Sequence, residues 1–559
     1  MSPFARKLSR RHFLGASAAA FAASGLSAHA DNANASGPLD IGSEPQYFFD
    51  DWIVEESHGF KRTMHRPVKK GLIKEADGRD WERGGVYHGN AVCRDASGRF
   101  HMSYLYLWWD PSVKTLHPYI GEDKAHWFRN AIAYATSDDG IHWTKPVLNE
   151  IGGPTGFRKI PEFPFEEPTV ISIANNLGCP FDFIYDLHAR GNISDPDRHF
   201  IVRATRKDDT HPFANTVESK LYFARDFPDF INDPDWRDKL LPFAEGSLSP
   251  RGFSGIAGYD TEAATWFAVS QDELGNWRKR GGRDIARYTS QDLLTWEGPE
   301  LVLPIAEDES RDPKAFVEYM DLSASRMGGP KTGLWLGQLV IFHGDRTDPQ
   351  FMMPDPGGST EPTNIWRKGT TEVRLVTSRD AGKTWQRVGN REAWLPCSEE
   401  DNGYDRLAFA TSSVTVGEEE WHYYSAWDGD HLTFFADGRP FYRDRMRMNR
   451  TALATIRKGG YVSLDAAGEA NLVTKAFVFA GNQLRVNATP GLDFRVELQT
   501  EGGEPLPGYA MADCSPLTDD GTDQLIRWGD KDRLAEFTDR RVRLCFAMTG
   551  GSLYSFRFG

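Results

Sequence analysis

The sequence predicts an all-β protein, a five-bladed β-propeller followed by a C-terminal β-sandwich. Three observations carry that expectation. One turn motif recurs at wide spacing, as "SDDGIHW" from Ser137, "SQDLLTW" from Ser290 and "SRDAGKTW" from Ser378. From about Ile41 to Arg450 short strand-like runs alternate with Gly, Pro, Asp and Asn clusters, and no run has a convincing helical period. Beyond that point the texture changes to evenly spaced alternating strands that continue to the last residue.

The first segment belongs to neither domain. In "SRRHFLGASAAAFAASGLSAHA" two arginines, Arg10 and Arg11, precede Phe13 and Leu14, a short Ala-rich apolar run follows, and Ala28-His29-Ala30 closes it as a small-x-small cleavage pattern. This resembles a twin-arginine export signal over residues 1–30, with the apolar run too short and too diluted by Gly and Ser to span a bilayer. The expected partner at that end is the twin-arginine export machinery, and the expected location is periplasmic or secreted, in a bacterium. Removing the segment takes away four basic residues and no acid, so the formal charge moves from -15 to -19. Such an acidic protein is not expected to hold nucleic acid or, once the signal is gone, an anionic membrane. The five cysteines form no CxxC and no Cys/His cluster, so no zinc site is expected, and no metal-ligating residues are named.

The propeller is expected over residues 31–450. Each recurring turn follows a run of β-formers, "NAIAYAT", "DIARYT" or "TEVRLVT". Ser and Asp side chains bond nearby backbone amides in such turns, and Gly140 and Gly382 supply positive φ. The Trp then packs the turn onto a sheet, so the turns are expected to be architectural, at outer blade edges. Five segments read as blade interiors: "YHGNAVCRDASGRFHMSYLYLW", "EEPTVISI" with "FDFIYDLH", "SGIAGYDTEAATWFAVS", "LWLGQLVIFHG" and "TSSVTVGEEEWHYYSAW". A looser echo, "SQDELGNW" from Ser270, lies too close to Ser290 to start a blade and reads as a long hairpin inside one. At about 80 residues per blade against the ~40–50 of regular repeats, the excess must lie in long loops, where sites are built. The sandwich is expected over residues 451–559, from "AFVFAGNQLRVNA", "FRVELQT", "LIRWGD", "RRVRLCFAM" and "SLYSFRFG", as a packing support for the propeller. "RKGGYVSLDA" is expected at the boundary, with Gly459 and Gly460 turning the backbone.

Taken together, "YATSDDGIHWTKPVL", "TSQDLLTWEGPELVL" and "SRDAGKTWQRV" resemble the blade turns of the five-bladed β-propeller glycosidases, the group of invertases, levansucrases and arabinanases. The likeness is to an exported branch related to the invertase catalytic domain and covers most of residues 45–430. "SRDAGKTW" alone also matches the sialidase Asp-box, but the sialidase "RIP" strand is missing and only one of the three turns fits that box fully. The invertase Asn-Asp-Pro-Asn-Gly strand is absent, and Arg311-Asp312-Pro313 lies in the second half of the chain, so the family role of that tripeptide is not carried over. "WER" at Trp81 stands where this branch places an early-blade carboxylate. The resemblance implies a glycoside hydrolase with a carbohydrate substrate and no cofactor, with room for a structural calcium in the channel. The alternatives are a non-catalytic glycan-binding propeller and a glycoside phosphorylase.

Glycoside hydrolysis usually needs two carboxylates, and a propeller gathers them from the starts of innermost strands in different blades. Glu82 precedes the first inner strand, with His88 following; Glu166 and Glu167 sit in the aromatic setting "FPFEEP"; Asp312 and Glu318 flank "PKAFVEYMD"; Asp405 leads the fifth blade. The catalytic candidates are Glu82, Glu167 and Glu318. The substrate-binding candidates are His88, Glu166, Asp312 and Asp405, with Arg251 of "SPRGFSG" opening the third blade and Trp109 as a stacking platform at the end of "YLYLWWD".

Overall fold

The computed structural model describes residues 39–74, 86–95, 97–114, 126–145, 183–186, 200–207, 217–225, 239, 241–242, 244, 256–272, 283–306, 309, 315–345, 369–398, 407–427 and 449–559. The chain is all-β with a β-propeller arrangement. A three-stranded sheet comes first, Val86–Arg94, Phe100–Lys114 and His126–Ser137. A four-stranded sheet follows, from Phe183–Asp186 through Phe200–Lys207 and Val217–Ala224 to Leu241–Pro242. The third runs Ile256–Asp260, Thr265–Asp272, Asp284–Ser290 and Glu297–Leu303, and the fourth Ala315–Arg326, Trp335–Asp345, Gly369–Ser378 and Gln386–Arg387. The last comprises Leu407–Val416, Glu419–Trp427 and Asn449–Arg457, with Val68–Lys74 from the other end of the chain as its fourth strand.

Every sheet is an antiparallel meander, and the leading strands are the innermost. Val86–Arg94 touches both Phe183–Asp186 and Leu407–Val416, and Ala315–Arg326 touches both Ile256–Asp260 and Leu407–Val416. Sheets in such a ring pack face to face, so their middle strands are buried on both sides. In Asp284–Ser290 every residue but Thr289 is buried, which removes the period-two polarity of a strand with one wet face. Separate apolar clusters fill the seams. Ala257, Phe267 and Val269 meet Tyr319, Leu339 and Trp385 between the third and fourth sheets, and Val340 and Leu375 meet Tyr424 and Ala454 between the fourth and fifth.

The three Asp-turns share one local structure. Each joins the third strand of its sheet to the fourth, the first through a bridge between Thr136 and Thr144. Ser137, Ser290 and Ser378 donate from Oγ to Oδ1 of Asp139, Asp292 and Asp380 at 2.9, 3.2 and 2.8 Å. Those carboxylates accept backbone N–H groups further along the turn: Ile141 and His142, Leu294 and Thr295, and Thr384, all within 2.6 to 2.8 Å. Trp143, Trp296 and Trp385 donate from Nε1 to the carbonyls of Gly140, Leu293 and Gly382. The side chain and backbone N–H of His142 hold the Asp139 carboxyl well below its usual range.

Each turn also reaches the sheet before it. The Trp143 ring lies 6.0 Å from Tyr423 of the last sheet, edge on, and Tyr423 donates its hydroxyl to the Gly140 carbonyl at 3.1 Å. Trp296 packs with Leu221 of the second sheet. Arg287 of the third sheet donates to the Ala381 carbonyl of the fourth at 2.9 Å. The turns are therefore staples between neighbouring blades, and the first of them closes the last sheet onto the first. The hairpin expected at "SQDELGNW" is consistent with the third sheet, where Ser270–Asp272 ends the strand paired to Asp284–Ser290.

At the C-terminal end the hydrogen bonds join eight strands into one sheet where a β-sandwich was expected. Its order is Leu39–Gly42, Phe477–Phe479, Val542–Phe558, Val462–Thr474, Val54–Met64, with Gln46–Tyr47, Leu484–Thr500 and Gly521–Leu525 attached. The long strands break register together, between Ala466 and Glu469 and between Pro490 and Asp493. Gly551 sits at that level with φ +100°, and a Cβ there would lie 2.3 Å from the Thr489 carbonyl oxygen. Residues before the break (Leu484, Val486) and after it (Phe494, Val496) share one apolar cluster.

The boundaries expected at 31–450 and 451–559 differ from this arrangement at both ends. Asn449–Arg457 pairs with Glu419–Trp427 and Val68–Lys74 in the propeller, whereas the strands between Leu39 and Met64 belong to the C-terminal sheet. A ring of sheets must be closed by a strand from the far end of the chain, and local patterning does not name that partner. The chain crosses between the two sheets side by side, with His65 donating its N–H to the Tyr461 carbonyl at 2.8 Å. Gly459, expected to turn the backbone here, has φ +63°. Behind it Tyr461 donates its hydroxyl to Glu420 Oε2 at 2.5 Å, and Gly459 N–H donates to Glu420 Oε1 at 2.8 Å. Burial pushes the Glu420 carboxyl up against those two donors.

Candidate functional site

The meander order fixes which end of the ring can hold a site. First and third strands run the same way, so the starts of third strands lie with the starts of inner strands, and the Asp-turns that follow third strands lie at the opposite end. Glu318, near the start of an inner strand, thus lies toward the end away from the staples.

Of the nine candidates, Glu318 is the one described with its side chain. It is the fourth residue of Ala315–Arg326, inside the inner strand rather than ahead of it, opposite Phe342. It is 4% exposed. Arg283, immediately before the third strand of the neighbouring sheet, brings Nε to 2.9 Å from Glu318 Oε1. A second guanidinium nitrogen, Nη1, donates to Gln271 Oε1 at 2.6 Å, and the Arg283 carbonyl accepts the Tyr319 N–H at 3.0 Å. The seam between the two sheets therefore carries a fixed Gln–Arg–Glu row at the end of the ring that holds the inner-strand starts.

The next residue in the strand, Tyr319, packs in the apolar seam with the third sheet. Tyr319 is buried and donates its hydroxyl to Glu309 Oε2 at 2.9 Å, while Arg387 donates to Tyr319 and Arg374 to Glu309. Burial pushes the Tyr319 hydroxyl up to about 12. Burial opposes ionisation of Glu372 too, yet His343 at 3.2 Å and Arg374 at 2.6 Å hold its carboxyl below the ordinary value. Acids and cations alternate through this cluster, which makes it an ionic brace within the fourth sheet and onto Glu309 ahead of it.

His88 lies in the first inner strand, Val86–Arg94, where the register with the second strand breaks between Tyr87 and Ala91. Trp109 was expected at a strand end, but Phe100–Lys114 runs past it, and Trp109 pairs with Phe128 inside the second strand of its sheet. The "WWD" run, expected at a strand end, continues as strand. Glu82, Glu166, Glu167, Arg251, Asp312 and Asp405 lie outside the described residues. Among the described residues no group of three or more His, Cys, Asp and Glu side chains is arranged to hold a metal ion.

Arg283 and Gln271 were missed by a search restricted to inner strands. The signal was present in "GGRDIARYT", a cation directly ahead of a third strand.

No family model matches this chain, and no curated protein matches it. Solved structures give distant likenesses. A protein described as a glycoside hydrolase aligns at 11% identity over 71% of this chain and 93% of its own, with a TM-score of 0.38. The catalytic domain of a Coprinopsis cinerea GH62 alpha-L-arabinofuranosidase aligns at 10% identity over 70% and 97%, TM-score 0.38. An N-acetylgalactosamine deacetylase from F. plautii, in complex with blood group B trisaccharide, aligns at 14% identity over 72% and 97%, TM-score 0.37. At these scores they decide neither the fold nor the activity.

Proposed function

We propose that this chain is a glycoside hydrolase built on a five-bladed propeller, exported by the twin-arginine route to the periplasm, that cleaves an oligosaccharide or glycan at the starts of its inner strands. The observation that carries the reading is Glu318: a buried carboxylate placed near the start of an inner strand, at the end of the ring opposite the Asp-turns. The resemblance of those turns to propeller glycosidases supplies the reaction class. Glu82 and Glu167 are the acid–base pair, one protonated toward the leaving oxygen and the other ionised toward the anomeric carbon or a water. Glu318 joins the same site through Arg283. His88, Trp109, Glu166, Arg251, Asp312 and Asp405 are the proposed substrate contacts. The C-terminal sheet, folded over one core as a sandwich, supports the ring.

Incubating the full chain with a panel of oligosaccharides, with and without inorganic phosphate, separates the readings. Turnover without phosphate supports a hydrolase. Turnover only with phosphate assigns a phosphorylase, and binding without turnover assigns a glycan-binding propeller. In the hydrolase, Glu82→Gln and Glu167→Gln each lower kcat by about a hundredfold or more while the melting temperature stays close to that of the parent.

A further inference from the structure

The Gln–Arg–Glu row has a direction. Its carboxylate is sealed and its guanidinium is not: the side chain of Glu318 is 6% exposed and that of Arg283 35%. A group that grips a ligand must be reachable, so of this pair the guanidinium is the one a ligand meets. Three contacts already fix that guanidinium and its backbone, Nε to Glu318, Nη1 to Gln271 and the carbonyl to Tyr319 N–H. Among the described residues Nη2 makes no hydrogen bond. Nη1 is held by Gln271 and Nε faces Glu318 as an ion pair, so a partly exposed guanidinium is oriented from two sides, unlike a buried brace.

Arg374 offers the contrast. It sits in the ionic brace between two carboxylates, Glu309 and Glu372, and its side chain is 13% exposed. Arg287 is 6% exposed, with its guanidinium spent on the Ala381 carbonyl. Both are structural arginines. Arg283 differs from them in exposure and in its unspent donor.

We infer that Arg283 is a substrate-binding residue of the site, donating to hydroxyl oxygens of a sugar, and that Glu318 is the positioning residue that aims it. This rests on the glycan-active reading given above. The ligand atoms follow from the donor: a guanidinium only donates, and sugar hydroxyl oxygens accept. Glu318 then acts through Arg283, and its conjugate acid would lose the ion pair that holds Arg283 in place.

The experiment uses the full chain and the variants Arg283→Gln, Arg283→Lys, Glu318→Gln and the double variant Arg283→Gln/Glu318→Gln. Phenylglyoxal labelling, mapped by peptide mass spectrometry, reads the guanidinium directly. Arg283 is expected to label faster than Arg287 and Arg374, to label at a changed rate in Glu318→Gln, and to be protected by a glycan from the panel. In steady-state kinetics or binding, Arg283→Gln raises KM or Kd by about tenfold or more, the loss of a hydrogen bond from a charged donor, with kcat within roughly threefold. Arg283→Lys recovers only part of it, because an ammonium cannot satisfy Gln271, Glu318 and a ligand in one fork. The double variant is no worse than Arg283→Gln, since both remove the same aimed donor.

A glycan that is turned over without protecting Arg283, and with KM unchanged in Arg283→Gln, overturns the inference while leaving the hydrolase reading intact. A loss in kcat alone of about a hundredfold in Glu318→Gln also overturns it, by making Glu318 a catalytic group. If no glycan binds the wild-type chain, the glycan reading fails. The labelling comparison still decides the anchoring: an unchanged Arg283 rate in Glu318→Gln refutes the positioning role.

Discussion

Replacing Asp380 by Ala tests whether the recurring turns are architecture. Asp380 Oδ1 accepts Thr384 N–H and Ser378 Oγ–H, each at 2.8 Å, and Oδ2 accepts the Thr384 hydroxyl at 2.7 Å. Thr384 is exposed, so its amide and hydroxyl exchange the carboxylate for water, and their share of the loss is that of a helix-cap deletion, about 1 kcal/mol. Ser378 is 2% exposed and keeps its role as acceptor of Gly382 N–H at 2.9 Å, but its own proton loses a buried partner. That adds a further fraction of the roughly 1–3 kcal/mol charged to an unsatisfied buried group. The expected total is about 1–2 kcal/mol. Because Ala381 and Gly382 of this turn also meet Arg287 and Phe267 of the preceding sheet, the loss falls on the seam between blades, and the remote end of the ring is spared. A thermal melt paired with glycan turnover or binding reads both quantities: a lowered melting temperature with unchanged turnover is expected. Lost turnover in an equally stable protein would refute the argument and move the turn into the site.

Two further outcomes follow from the junction between the propeller and the C-terminal sheet. Burial holds the His422 imidazole down at about 3, against 6.5 for the ordinary residue. Its contacts agree: with the Tyr461 hydroxyl donating to Glu420, His422 Nε2 donates to Tyr461 at 3.1 Å and Nδ1 accepts from Gln338 at 3.4 Å, leaving no acceptor for a second proton. The unfolded chain gains that proton below pH 6.5 and the native protein does not until about 3, so stability is complete above pH 6.5 and falls as the pH drops from 6.5 toward 3. At pH 5 the contribution is about 2 kcal/mol, and the urea midpoint of wild type should fall more between pH 7.5 and pH 5 than that of His422→Gln; equal falls would count against it. Gly459→Ala should cost about 1–3 kcal/mol, because φ is +63° and the new Cβ would lie 2.8 Å from Tyr47 Cε1, and an unchanged urea midpoint would count against the backbone reading.

What the sequence disclosed depended on how far each cause lies from its effect along the chain. The Asp-turns were legible because Ser378, Asp380, Gly382 and Trp385 satisfy one another within eight residues. Their partners across the seams were not, since nothing near Gly140 names Tyr423. The closure of the last sheet by Val68–Lys74 and the transfer of residues 39–64 to the C-terminal sheet failed to show for the same reason: an alternating strand announces that it pairs, and the pairing partner is chosen by the ring. Trp109 was expected at a strand end because the alternating aromatic run stops there, and the strand continues past it to Lys114. Glu318 is the instructive intermediate case. Its place was legible, as an acid beside the start of a strand that alternates apolar residues. Its company was not, because Arg283 stands ahead of another strand in another sheet and meets Glu318 only when two blades face each other. A carboxylate's role is set by what neutralises it. For Glu372 that group comes from its own sheet, His343 and Arg374, and for Glu318 it comes from the neighbouring one, so an acid's place along a strand is legible in the sequence before its partner is.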